Sequence, residues 1–158
     1  MENLIDKSYF WGDIEITGLF KPEMEAKLDM MIAKYQKEYL KQMFGTYFLE
    51  HEMTDTFKEL LIDDELKTSP IANFVYFYWQ RNNATFQTNA GVKTLNVQNT
   101  QTVSPAEKMV SAWNQMVTWN EEIHNSLYEF ETDEFDYLND IYPYIDESIL
   151  TYQNQFLI

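Results

Sequence analysis

The chain has 158 residues, 45% of them hydrophobic and 16% aromatic, no cysteine, and 26 Asp and Glu against 11 Lys and Arg, a formal charge of −15. A chain of this size buries roughly 70% of the surface it would expose unfolded, so one domain over 1–158 is expected. The lack of cysteine excludes disulfides, thiolate zinc sites, iron–sulfur clusters and cysteine nucleophiles, and the acidic balance opposes binding to nucleic acid or to an anionic membrane.

The opening MENLIDKSYF has neither the basic start and apolar run of a secretory signal nor the acid-poor character of a transit peptide. The longest apolar run, 74–79, has six residues, against the roughly 20 that span a bilayer. A soluble chain with no membrane partner is expected.

Residues 1–20 mix aromatic and β-branched types with Gly12 and Gly18, which predicts an extended N-terminal arm or short strand. From Pro22 onward Met24, Leu28, Met31, Ile32, Tyr35, Tyr39 and Met43 fall at three- and four-residue steps, the spacing of an amphipathic helix. Pro22 suits its first turn and Gly45 a left-handed stop. A second helical stretch is expected over 46–66, broken near Thr54 and Asp55, where short polar side chains can cap a new helix. Ser69 and Pro70 then read as N-cap and first residue of a nearly all-apolar helix over 71–82, closed by Asn82, Asn83 and Ala84. Residues 85–103 turn to Thr, Val, Phe, Gln and Asn, which predicts a β-hairpin inserted over 84–103 with its tip at 89–91.

Ser104-Pro105-Ala106-Glu107 has the form of a capping box with proline in the first turn. Met109, Val110, Trp113, Met116, Val117, Ile123, Leu127 and Phe130 then line one side of a helix about seven turns long. A short helix is expected over 132–140, Pro143 breaks the chain, and a tail over 148–158 ends in Phe156-Leu157-Ile158. The fold class that follows is mainly α: a helical bundle of about four to six helices with an inserted β-hairpin and an extended N-terminal arm.

Several residues invite a chemical reading. Glu121 and His124 form the Glu-x-x-His step of di-metal bundles, but those need the step twice with two further inward carboxylates. The other histidine, His51, has Phe48 at the matching position. His51-Glu52 also fails the zinc-protease pattern, because Asp55 stands where the second histidine belongs, so His51 reads as a solvated or capping side chain. The carboxylate pairs Asp63-Asp64, Glu121-Glu122 and Asp133-Glu134 read as a solvated acidic face, since acid–base catalysis requires one member desolvated in a cleft. With no nucleophile elbow, phosphate loop or dinucleotide fingerprint, and only four glycines, no catalytic residue, metal ligand or cofactor is assigned and a non-enzymatic chain is expected. The aromatic run at 74–79 lacks the basic groove of a base-stacking platform and reads as core.

The candidate functional residues are therefore contacts. An isolated hairpin is marginally stable in water, so Phe86, Val92, Leu95 and Val97 are expected to meet another strand or chain. Chain ends are usually polar and frayed, so Tyr152, Phe156, Leu157 and Ile158 are candidates for docking either on the chain's own core or on a neighbour. Charge is polarised as well. From residue 104 to the end there are 11 acids and one lysine, a net −10, whereas 21–44 carries five lysines and four acids, a net +1. Complementary patches of this kind favour head-to-tail contacts, which build rings or filaments.

Four segments together resemble the head–tail connector (adaptor) proteins of tailed bacteriophages, as in phages of gut Bacteroidota including crAss-like phages. The first is a helix ending in a Lys-x-Leu-x-Gly-like turn followed at once by an aromatic helix, here 37–48. The second is an aromatic helix leading into Arg81-Asn82-Asn83, here 71–83. The third, after a hairpin, is the pattern Ser-Pro-x-x-Lys-Met-Val-x-Ala-Trp-Asn-x-Met, matched by 104–116. The fourth is an ending similar to Asn-x-Phe-Gly-Ile, with Leu157 in place of the glycine. The resemblance covers 35–158, most strongly 69–120. It implies a structural virion protein, a mainly helical subunit of a homo-oligomeric, dodecameric neck ring made in the host cytoplasm and placed between capsid and tail. Its partners would be the portal protein, the next neck or tail protein, and genomic DNA that passes through during ejection without specific binding. The alternative from another class is an acidic soluble inhibitor, a DNA mimic for a basic partner.

Overall fold

Proline's fixed φ and missing N–H suit the first turn of a helix, and helix α1 starts on one, at Pro22–Phe44. The computed structural model describes residues 2–83, 85–88, 91–94, 104–129 and 136–154, with backbone only for 49–50 and for the strands. Gly45 ends α1 at φ 59 and ψ −128. That region is open to glycine but is not the left-handed helical stop expected. A Cβ at this position would collide with the Cβ of Tyr144, so the glycine serves a close approach between two distant segments as well as a turn.

The helical stretch expected over 46–66 is shorter and divided. A single turn, α2 (Tyr47–Glu50), precedes α3 (Asp55–Leu61). The chain leaves the helix because Asp63 Oδ1 accepts the backbone N–H groups of Glu65 and Leu66, at 3.0 and 2.8 Å, and Asp63 and Thr68 exchange backbone hydrogen bonds. Short acidic side chains compete with the helix in this way.

Helix α4 (Pro70–Asn83) begins where Ser69 Oγ accepts from Ile71 N–H at 3.1 Å and donates to the Leu61 carbonyl at 2.7 Å. Strands β1 (Thr85–Thr88) and β2 (Gly91–Thr94) pair antiparallel, Thr85 opposite Thr94. The rest of the hairpin expected over 84–103, including its tip at 89–90, lies outside the described residues, and among those described no third strand joins the pair. Helix α5 (Pro105–Glu129) opens on the expected capping box, with Ser104 N–H donating to Glu107 Oε2 at 3.0 Å and Glu107 N–H to Ser104 Oγ at 3.1 Å. Of the helix expected over 132–140, the described part is the single turn α6 (Tyr137–Asp140), capped by Asp136. Two 3₁₀ turns, Tyr142–Tyr144 and Glu147–Leu150, follow.

The protein is mainly helical, a bundle whose middle member is α4, packed against both α1 and α5. Its aromatic run is core: Phe74, Val75, Tyr76, Phe77 and Trp79 are buried. The Phe74 ring sits 6.3 Å from Tyr35, 5.6 Å from Tyr39 and 6.0 Å from Trp113, so it joins all three helices. Edge-to-face and offset ring contacts at these distances add to area burial.

The N-terminal arm differs from expectation. It is not extended throughout; it contains two 3₁₀ turns, Lys7–Tyr9 and Gly12–Ile14, and buries Ile5, Tyr9, Phe10 and Ile16 in the common core. Gln36 of α1 fixes its start, accepting from Leu4 N–H at 2.7 Å and donating to the Glu2 carbonyl at 3.0 Å. Among the described residues no helix is long and apolar enough to cross a membrane.

Candidate functional site

The segment leading to the chain end lies along α5 and is held by side chains that α5 presents in order. Trp113 Nε1 donates to the Thr151 carbonyl at 2.9 Å. Asn114 meets Gln153 on both sides of its backbone, its Nδ2 donating to the Gln153 carbonyl at 3.0 Å and its Oδ1 accepting the Gln153 N–H at 2.7 Å. Six residues further on, buried Asn120 accepts the Tyr39 hydroxyl at 2.6 Å and donates to the Ile149 carbonyl at 2.9 Å, which ties α1, α5 and the chain-end segment at one point. Burial alone keeps the Tyr39 phenol far above its ordinary range, so it remains a neutral donor. Backbone groups of an irregular segment need partners once water is removed, and these amide side chains supply them.

Tyr152, one of the candidates for docking on the chain's own core or on a neighbour, stands half out of the surface of this segment. The residue is 50% exposed and its hydroxyl donates to Glu121 Oε2 at 3.0 Å. The segment up to residue 153 therefore docks on its own chain. Phe156, Leu157 and Ile158 lie outside the described residues, as do Leu95 and Val97. Phe86 and Val92 lie on β1 and β2, where Phe86 pairs with Lys93 and Val92 with Gln87.

The residues weighed for chemistry turn out to be separate from one another. His124 is buried, with Nδ1 2.8 Å from the Tyr137 hydroxyl, while its Nε2 finds no partner among the described residues. Burial lowers its pKa to about 4 and raises that of Tyr137 to about 12, so both are neutral near pH 7. Glu121 is turned outward to Tyr152, and no group of three potential metal ligands occurs among the described residues. His51 is exposed, stacked 4.3 Å from the Tyr47 ring with Nδ1 3.1 Å from the Tyr47 carbonyl. Asp64 accepts from Lys67 Nζ at 2.8 Å and from the Tyr9 hydroxyl at 2.7 Å, and these bonds lower its pKa. Asp63, Glu121 and Glu122 are exposed, and Asp133 and Glu134 lie outside the described residues.

A shallow cleft of about 290 Å³ opens between the 59–70 region and α5, with Trp119 and Glu122 on its wall. It is open to water and holds no desolvated carboxylate.

The outer surface is more distinctive. Tyr128, Leu138, Tyr142, Tyr144 and Tyr152 are exposed among the carboxylates of α5 and the residues after it. The residues that reading the sequence missed are Asn114 and Asn120. Asn120 had a signal, because it falls on the buried stripe of α5 between Met116 and Ile123, and a polar residue at a core position calls for a partner.

No protein family, curated protein or solved structure matches the chain.

Proposed function

We propose that the chain is a structural subunit of a tailed-phage head–tail connector, assembling as a ring below the portal and passing genomic DNA toward the tail. The observation that carries the reading is where the resembling segments fall: three of the four, 37–48, 71–83 and 104–116, supply the α1–α2 corner, α4 and the start of α5, and most of their aromatic residues are buried. The likeness thus lies in residues that shape a framework rather than in residues that perform a reaction. Surface charge supports the same role. Duplex DNA carries about one negative charge per 1.7 Å, so an acidic subunit repels the passing genome instead of holding it.

The test mixes the purified full-length chain with portal rings of the same phage and sediments them, alongside a search for the chain in purified virions. Co-sedimentation and a constant copy number per virion are expected. A chain that stays in the supernatant and is absent from virions refutes the proposal. Tight, salt-sensitive binding of a monomer to a nucleic-acid enzyme would refute it in favour of the acidic inhibitor.

A further inference from the structure

All three ion pairs found among the described residues, Lys7–Glu25, Lys58–Asp55 and Lys67–Asp64, lie in the first half of the chain. They leave two opposite charge stripes unmatched. On the outward side of α1, Met30, Lys34, Lys37 and Lys41 follow one another at four-, three- and four-residue steps, all exposed, which places them in one row. Lys34 lies 4.7 Å over the ring of its neighbour Tyr35, and none of the three lysines takes part in an ion pair among the described residues. On the outward side of α5, Glu121, Glu122, Asn125 and Glu129 form a second exposed row, flanked by Tyr128 and Tyr152, 57% and 50% exposed. No lysine or arginine follows Lys108 in the sequence, so the α5 row is not neutralised by its own end of the chain.

The two rows match in length. Lys34 to Lys41 and Glu122 to Glu129 each span seven residues, about 10.5 Å at 1.5 Å per residue. Both α1 and α5 bury their inner sides against α4, so the two exposed rows face away from the shared core. Each row has one sign, so neither can pair with itself. A contact in which one row meets the other on a second molecule, with each molecule's remaining row left for a further copy, is heterologous, the kind that closes into rings or extends into filaments.

We infer that the α1 lysine row of one subunit docks on the α5 glutamate row of a second copy of this chain, with Met30 against the exposed tyrosines as its apolar part. The inference rests on the ring reading above and names the faces that would make the ring. Exposed ion pairs are individually weak and screened by salt, so the contact in free solution is weak and lost at high ionic strength, and it strengthens when a template holds subunits side by side.

Charge exchange tests it on the full-length chain by sedimentation velocity at up to about 1 mM protein in about 50 mM salt, with circular dichroism as a folding control. Wild type is expected to self-associate, and about 500 mM salt to reverse it. Lys34→Glu/Lys41→Glu and Glu122→Lys/Glu129→Lys should each weaken association by about tenfold. An equimolar mixture of the two variants, and the quadruple variant carrying both changes, should each recover it. A wild type that stays monomeric throughout, or association that survives either reversal or is not recovered by exchange, overturns the inference. In the surviving case the connector reading stands with other faces in contact, whereas normal exchange behaviour without portal co-sedimentation would retain these faces and discard the connector.

Discussion

Replacing Asn120 by alanine removes the amide that serves Tyr39 and Ile149 together. Both hydrogen bonds are buried, at 2.6 and 2.9 Å, and Tyr39 and Asn120 have no exposed surface. The substitution strands one hydroxyl and one carbonyl away from water, at about 1–3 kcal/mol each, so Asn120→Ala should cost roughly 2–5 kcal/mol, a large share of the about 5–15 kcal/mol that holds a typical domain. Tyr39→Phe strands only the Asn120 Oδ1 and should cost roughly 1–2 kcal/mol. In the double variant the stranded hydroxyl is gone, so its cost should fall short of the sum by about 1 kcal/mol or more. Urea unfolding followed by tryptophan fluorescence gives all three values, and hydrogen exchange at 149–153 should accelerate in Asn120→Ala, because the Ile149 anchor is lost. Additivity within about 0.3 kcal/mol, or unchanged exchange at 149–153, would refute the claim that one amide joins α1, α5 and the chain-end segment.

Two further predictions follow from single positions. The folded pKa of His124, about 4, lies below the ordinary value near 6.5; the unfolded chain therefore takes up the proton first, and the contribution is fully present above about pH 6.5 and lost as pH falls toward 4, by roughly 3 kcal/mol. Comparing the pH dependence of unfolding in His124→Gln with wild type checks this, and parallel curves between pH 6.5 and 4 would contradict it. Gly45→Ala meets both a positive φ and the Cβ of Tyr144, so it should cost about 2–4 kcal/mol, whereas Gly18→Ala, with φ 85 and open space, should cost about 1 kcal/mol. Equal melting points for the two variants would show that the approach of Tyr144 is not what Gly45 provides.

The helix starts were legible because their chemistry is local. Pro22 acts through its own fixed φ, the caps at Ser69 and in the Ser104–Glu107 box act on backbone N–H groups two or three residues away, and the apolar run of α4 had no polar side to turn outward. The charge polarity was equally legible, since it is a sum over sequence. The end of α3 was not, because the Asp63 turn competes with helix continuation through bonds that composition does not weigh. Nor was the compact arm, whose start depends on Gln36 some 32 to 34 residues away.

By itself the sequence determined a helical, cysteine-free, acidic chain with an apolar α4 and with most of its net negative charge after residue 103, against a net +1 over 21–44. Tertiary structure alone decided that the segment before the chain end lies on α5, that Asn120 and Asn114 hold it, and that Gly45 makes room for Tyr144. The physical reason is separation: these contacts join residues 29 to 99 positions apart, from Asn120 with Ile149 to Gly45 with Tyr144. Whether a buried amide is satisfied depends on which distant backbone arrives beside it, a quantity no local propensity contains.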